Sequence, residues 1–95
     1  MSGKDYSIID FEEKKGIFRI LLVMKDGEIL NKGQIKKKSG LGNVAYLTTV
    51  HLEEMGLLKL LPVKNNPSEK RYQITEKGKE IIKQLININE ILSGN

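Results

Sequence analysis

The spacing of apolar residues changes twice along this chain of 95 residues, and these changes constrain its fold more than any other feature. Up to Gly56 the apolar residues recur every three or four positions, which is typical of amphipathic helices. Residues 57–74 instead form two short apolar or alternating stretches around the polar segment 64–69, which is typical of a hairpin. From Glu76 onwards the helical spacing returns. The sequence therefore predicts a mostly helical α+β fold in which a β-hairpin precedes the last helix.

Capping residues place the ends of the helices. Two predicted N-caps, Asp10 and Asn31, are followed three residues later by Glu13 and Gln34, which can complete capping boxes. Residues 28–30 are expected to form a short extended link, and residues 39–42, with two glycines, a turn. The four predicted N-caps are Asp10, Asn31, Asn43 and Thr75, and their helices extend to about residues 26, 38, 55 and 92.

Composition narrows the classes of protein that the chain can belong to. It contains no cysteine, which excludes disulfides and thiol catalysis. No apolar run approaches the roughly 18 residues that span a bilayer, and the amino-terminal start is polar. We therefore expect a soluble cytoplasmic protein, and the length fits a single domain covering residues 1–95.

The sequence lacks patterns typical of catalysis or metal binding. The pairs Glu12–Glu13 and Glu53–Glu54 are adjacent on helices, so their side chains point about 100° apart and cannot act on one bond. His51 is the single histidine and lacks the partners of a zinc site. Residues 33–40 lack the Gly-Lys-Ser/Thr ending of a phosphate-binding loop. The sequence predicts no enzyme and no bound metal or cofactor.

The net charge of +4 arises from one part of the chain. Residues 31–50 contain four lysines and no acidic residue, whereas the charges of the other residues cancel. A localised positive field attracts polyanions even when the molecule is only mildly basic. A solvated lysine-rich face is the simpler alternative. The four lysines are Lys32, Lys36, Lys37 and Lys38.

The predicted third helix, residues 43–55, has two different faces on a wheel that advances about 100° per residue. A helix that enters the major groove by its first turns needs a polar face without acidic residues there, and Glu53 and Glu54 lie at the far end of this helix. The face assigned to the core holds Val44, Ala45, Thr48, Leu52 and Met55, and the face assigned to solvent holds Asn43, Tyr46, Thr49, Val50 and Glu53.

The solvent face predicts particular contacts to bases. Asn43 can bond adenine, and Tyr46 can reach a base or a phosphate. Thr49 or Val50 can contact a thymine methyl group. The face contains no arginine or lysine, so the commonest contact to guanine is missing. Base reading is therefore predicted to favour A·T pairs or to depend partly on DNA shape.

Two stretches of the sequence resemble winged helix-turn-helix DNA-binding domains. Residues 39–41 together with 52–59 (Leu-Glu-Glu-Met-Gly-Leu-Leu-Lys) look like the turn, recognition helix and exit of these domains. Residues 72–80 (Tyr-Gln-Ile-Thr-Glu-Lys-Gly-Lys-Glu) look like the second wing strand running into the next helix. The resemblance covers about residues 16–85 and is closest to MarR-like and ArsR-like transcriptional regulators of the small archaeal type. It implies the order α-α-α-β-β-α, with helix 43–55 in the major groove of duplex DNA.

The resemblance also implies which charged residues contact the DNA backbone. Lysines at the end of the second helix would neutralise phosphates without reading sequence. Charged residues around the wing tip would contact the DNA backbone or a minor groove. The alternative is that these residues only keep the protein soluble. The first set is Lys36, Lys37 and Lys38, and the second set is Lys64, Lys70 and Arg71.

The last predicted helix, residues 76–92, has a wide apolar face. Its main stripe either packs on the first helix of the same chain or is covered by a second copy of the chain. The width of the face favours a homodimer, which is the commonest symmetric assembly. The stripe consists of Ile81, Leu85, Ile88 and Leu92, and Ile82, Ile86 and Ile91 widen it.

Together these features predict a dimeric protein that binds duplex DNA with sequence preference and regulates transcription. The alternative is a winged-helix protein-interaction module in a transcription or replication assembly, without base reading. The missing arginine and the predicted exposure of Val50 motivate this alternative.

Overall fold

The computed structural model describes residues 6–66 and 68–94 of the chain. Over these residues the protein forms five helices and a three-stranded antiparallel sheet, which confirms the mostly helical α+β class. The predicted order contained one helix and one strand fewer. The elements are α1 (Ile8–Glu12), α2 (Ile17–Val23), β1 (Leu30–Asn31), α3 (Lys32–Ser39), α4 (Val44–Glu54), β2 (Leu58–Pro62), β3 (Lys70–Ile74) and α5 (Glu76–Leu92).

The predicted first helix is divided into two helices in the structure. Ser7, and not Asp10, caps α1: the Ser7 hydroxyl accepts a hydrogen bond from the Ile9 amide, and the Asp10 carboxylate accepts one from the Ser7 amide. The helical conformation is interrupted before α2 at Gly16, whose φ is 75°. A Cβ atom at Gly16 would collide with the Leu41 side chain, so glycine allows Leu41 to pack against this junction.

The other helix boundaries follow the sequence signals closely. Asn31 and Gln34 form the predicted capping box at the start of α3, with bonds of 2.8 and 2.9 Å. The Thr75 hydroxyl accepts a hydrogen bond from the Gly78 amide at 3.0 Å, and α5 covers the predicted residues. In the described ranges no helix has the length and apolar character needed to cross a membrane.

The sheet has the strand order β1-β3-β2. The predicted hairpin is present as β2 and β3, which pair from Leu58 opposite Ile74 to Pro62 opposite Lys70. The segment predicted as an extended link contributes β1, which pairs with the other edge of β3. A strand of two residues is too short to show an alternating pattern, so its pairing depends on the tertiary fold.

The core lies between α2, α3, α4 and one face of the sheet. Its buried side chains are mostly aliphatic, with Met24, Thr49 and Tyr72 among them, and Tyr72 is 1% exposed. The pKa of Tyr72 is raised above its ordinary value of 10.0, mainly because the phenol is buried. The negative charge of Glu53 makes a smaller contribution in the same direction. The fully enclosed side chains include Ile20, Leu21, Met24, Ile35, Leu52, Leu57 and Leu58.

Candidate nucleic-acid interface

The α3–turn–α4 unit is fixed to the rest of the fold by two hydrogen bonds to backbone carbonyls. The Thr48 hydroxyl on α4 donates to the Lys15 carbonyl at 2.8 Å. The Arg19 guanidinium on α2 donates to the Ser39 carbonyl at 3.4 Å, at the end of α3. The turn itself passes through two glycines with positive φ, at residues 40 and 42. These contacts hold α4 so that one face is buried and the other is exposed.

The exposed face of α4 differs from the predicted one at Thr49. Thr49 is 0% exposed, and its hydroxyl donates to the Ala45 carbonyl one turn earlier at 2.7 Å. This bond satisfies the hydroxyl and allows a threonine to lie in the core, so the assignment of Thr49 to base reading is wrong. Val44, assigned to the core, is only half-buried.

Leu47 occupies the exposed face and was not predicted there. It is 58% exposed, and Tyr46 beside it is 38% exposed. Leu47 lies four residues after Asn43 and three before the half-buried Val50, so all three project from one side of α4. Hydrophobicity alone assigns a leucine to the core, whereas its wheel position about 40° from Asn43 places it outside.

The structure brings the lysines of α3 next to the start of α4. Lys36 Nζ donates to Asn43 Oδ1 at 2.8 Å and lies 5.5 Å from the centre of the Tyr46 ring. The predicted side-chain cap of α4 by Asn43 is therefore absent, and the backbone of Asn43 is α-helical, with φ −65° and ψ −21°. Lys36, Asn43 and Tyr46, which the sequence predicts to contact DNA, therefore form a single cluster.

The other cations near this cluster are in different environments. Lys37 is exposed, whereas Lys38 forms an ion pair with Glu28 at 3.2 Å. Arg19 was not predicted as part of the site, but its bond to the Ser39 carbonyl places its charge beside the end of α3. No signal in the sequence around Arg19 could show this, because the contact spans twenty residues.

The charged residues of the hairpin lie on its exposed surface. Lys64 is in the turn after β2, and Lys70 is the first residue of β3. Arg71 Nε is 2.7 Å from Glu69 Oε2, so a neighbouring carboxylate partly neutralises its charge. Lys64 and Lys70 are therefore the stronger candidates for contacts to an anion.

The stripe on α5 forms one wall of an apolar groove of about 510 Å³. All four predicted residues line this groove, opposite residues of α1 and α2 such as Ile8, Phe18 and Leu22. Ile82 instead lies in the core, whereas Ile91 and Leu92 at the end of the helix are 74% and 79% exposed. The single-chain fold therefore leaves much of this surface uncovered.

Residues 6–66 and 68–94 contain no group of three or more histidine, cysteine, aspartate or glutamate side chains that could hold a metal ion. The buried His51 Nδ1 has no hydrogen-bond partner within this part of the chain.

No protein-family model and no curated protein matches the sequence.

Proposed function

We propose that the protein binds duplex DNA as a winged helix and regulates transcription, with α4 lying in the major groove. The observation that carries the proposal is the contact of Lys36 with Asn43 and Tyr46. It places a cation at the exposed amino-terminal half of α4, where a duplex would present both phosphates and base edges. Cations beside a helix that carries polar side chains are the combination that such binding requires.

The geometry of α4 supports this orientation. The helix has 11 residues, and its acidic residues, Glu53 and Glu54, lie at its carboxyl-terminal end. Its first two turns are exposed at Asn43, Tyr46 and Leu47 and carry no negative charge. The major groove is about 12 Å wide and admits a helix. Entry by the first turns keeps the glutamates away from the phosphates.

The order of elements around α4 also supports the winged-helix interpretation. The helices α2, α3 and α4 are followed by the β2–β3 hairpin and then by α5. The short β1 lies between α2 and α3 in the chain and pairs with the free edge of β3. The hairpin carries Lys64 and Lys70 on its exposed surface, which is the part that a wing would bring to the backbone.

We propose that two copies pair through the groove between α5 and α1–α2. The groove is apolar, and the residues that line it on α5 continue into the exposed end of the same helix. A twofold pairing would therefore let each copy cover the groove of the other with identical residues. Such a dimer would prefer two half-sites about 10 base pairs apart, or a multiple of this spacing.

Binding should depend strongly on salt. If a dimer neutralises about six to eight phosphates, the logarithm of the affinity falls against the logarithm of the salt concentration with a slope of about −5 to −7. The test measures fluorescence anisotropy of a labelled mixed-sequence duplex between about 50 and 200 mM salt. Salt-independent binding, or no binding at the lowest salt, would contradict the proposal.

A matched pair of variants makes this test specific to the interface. The triple substitution of Lys36, Lys37 and Lys38 by alanine should weaken binding to all sequences alike and flatten the slope. The control replaces Lys25, Lys79 and Lys83 by alanine, which removes the same charge from exposed positions on α5 and at the end of α2. An equal loss of affinity in both variants would mean that only net charge matters.

The exposed Leu47 and the half-buried Val50 favour one second candidate. The same face of α4 would then bind a protein in a transcription or replication assembly, without reading bases. In that case the protein would not retain duplex DNA at physiological salt, and Leu47→Glu would abolish binding to a stoichiometric protein partner.

A further inference from the structure

Leu47 is an unusual residue for its place in the fold. It lies in the first half of α4 and is 58% exposed, although α4 contacts α2, α3 and β2 through its other face. It lies outside the apolar groove along α5. If α4 enters the major groove by its first turns, Leu47 is among the residues that approach the base edges most closely.

Polar side chains on α4 lie on either side of Leu47. Asn43, whose Oδ1 accepts the bond from Lys36, is one turn earlier, Tyr46 is the preceding residue, and the half-buried His51 is one turn later. Leu47 and Val50 offer only carbon atoms. The centre of this face, at Leu47 and Val50, is therefore matched to an apolar feature of the duplex.

The major groove presents one such feature. In the major-groove pattern that distinguishes the base pairs, the C5-methyl group of thymine is apolar, whereas the other groups are hydrogen-bond donors or acceptors. Covering one methyl group with an aliphatic side chain changes affinity by about three- to fivefold. Two copies of the chain would each cover one such group.

We infer that Leu47, with Val50 beside it, selects duplexes by contacting thymine methyl groups. The inference rests on the proposed placement of α4 in the major groove and names the base feature that this helix reads. Leu47 is a specificity-determining residue in this view, while the lysines of α3 supply affinity that does not depend on sequence.

The experiment removes the methyl group without changing the base pairing. The probes are a duplex of about 24 base pairs with mixed A·T and T·A pairs, long enough for two half-sites, and the same duplex with uracil in place of every thymine. Wild-type protein should bind the uracil duplex about tenfold more weakly if each copy covers one methyl group in the thymine duplex. Leu47→Ala should bind the thymine duplex more weakly and should distinguish the two duplexes by less than about twofold.

A second leucine provides the control for removing exposed apolar surface. Leu60 on β2 is 39% exposed, and Leu60→Ala should keep the full preference for the thymine duplex. Uracil also changes the flexibility of the duplex, but Leu47→Ala would retain a preference that comes from DNA shape alone. If Leu47→Ala loses the preference for the thymine duplex and Leu60→Ala keeps it, this preference arises from contact of Leu47 with the methyl group.

The outcomes separate this inference from the proposed function. If wild-type protein binds both duplexes equally, with the expected salt dependence, the role of the methyl group is refuted and DNA binding stands. If Leu47→Ala keeps the full preference, another residue reads the methyl group and the inference is again refuted. Absence of salt-dependent binding to either duplex would overturn the proposed function, and the inference with it.

Discussion

Lys36 Nζ donates to Asn43 Oδ1 at 2.8 Å and thereby joins the last turn of α3 to the residue before α4. The two residues are seven positions apart and lie in different predicted helices. Their hydrogen bond fixes a positive charge beside a side chain with the donors and acceptors that adenine requires. The two residues are therefore expected to respond differently to substitution.

Lys36→Ala should weaken binding to all duplexes by a similar factor, because a lysine on a phosphate carries no sequence information. The slope of log affinity against log salt should become less steep by about one unit for each phosphate that is no longer neutralised.

Asn43→Ala should instead reduce discrimination at an adenine position by about 1–3 kcal/mol. Anisotropy titrations at several salt concentrations measure the uniform loss in Lys36→Ala, and binding selections from random duplexes measure the change of preference in Asn43→Ala. An unchanged preference in Asn43→Ala would remove Asn43 from the set of base-reading residues.

Glu28→Gln should strengthen DNA binding. Glu28 holds Lys38 in an ion pair at 3.2 Å, and both side chains are about half exposed. An exposed pair contributes less than about 1 kcal/mol to stability, so the substitution should barely change the free energy of unfolding. Removing the carboxylate leaves Lys38 available for a phosphate. Anisotropy at low salt, where screening is weakest, should show a rise in affinity of about two- to threefold.

The control for this substitution is Glu76→Gln, which removes the same charge from the exposed pair of Glu76 with Lys79 at the start of α5. It should change affinity much less than Glu28→Gln. Equal rises in affinity for the two variants would show that Lys38 has no particular role.

Gly78→Ala should destabilise the fold even though alanine is the better helix former. Gly78 is buried in the first turn of α5, and a Cβ atom there would collide with the Leu57 carbonyl and the Ile74 side chain. A backbone oxygen in a paired segment cannot move away easily, so we expect the free energy of unfolding in urea to fall by about 1–3 kcal/mol.

Gly33→Ala is the matched comparison for Gly78→Ala. A Cβ atom at Gly33 would lie 3.4 Å from Asn31 Oδ1, an ordinary contact distance, and the residue is exposed in the first turn of α3. This variant should be as stable as the wild type or more stable by up to about 1 kcal/mol. Equal stability of the two variants would contradict the close packing of Gly78 against Leu57 and Ile74.

Local signals in the sequence predicted the features that depend on neighbouring residues. The capping box of Asn31 and Gln34, the Thr75 cap and the extent of α5 each involve residues within one or two turns. The hairpin could be predicted because its two strands flank a polar loop. These parts of the fold are confirmed.

The features that the sequence did not predict depend on contacts between distant residues. The break at Gly16 accommodates Leu41, and β1 exists because it pairs with β3. The outer face of α4 carries Leu47, whereas the sequence predicted Thr49 there. This difference follows from how α4 is rotated against α2 and β2. A wheel gives the relative directions of side chains, but the tertiary packing decides which direction faces the core.

Stability should fall in alkaline solution because of Tyr72. Burial, and to a lesser degree Glu53, raises the pKa of this phenol above its ordinary value of 10.0. Above about pH 10 the unfolded chain releases the proton while the folded chain keeps it, so the unfolded state is favoured. The stability present below this pH is lost as the pH rises through the pKa of the folded state.

Tyr72→Phe should reduce this alkaline destabilisation, because phenylalanine has no proton to release. The measurement is the thermal midpoint between about pH 8 and 11, compared among wild type, Tyr72→Phe and Tyr46→Phe. Tyr46 is exposed on α4 and serves as the control. The same alkaline destabilisation in all three proteins would show that other groups cause it.

Ile88→Asp should separate the proposed dimer into monomers. Ile88 lines the groove along α5, and a carboxylate there would be buried without a partner if a second copy covered it. We expect the dissociation constant of the dimer to rise by at least about a hundredfold, which corresponds to about 3 kcal/mol. Sedimentation equilibrium should then give the monomer mass of 10.8 kDa instead of twice this value.

Asn87→Asp adds the same charge at the adjacent exposed position, which does not line the groove, and should leave the dimer intact. Monomeric Ile88→Asp should keep its helical content, because Ile88 lies outside the core. Its slope of log affinity against log salt should be about half that of the wild type, because one copy neutralises half as many phosphates. A wild-type protein that sediments as a monomer, or a dimer that resists Ile88→Asp, would refute pairing through this groove.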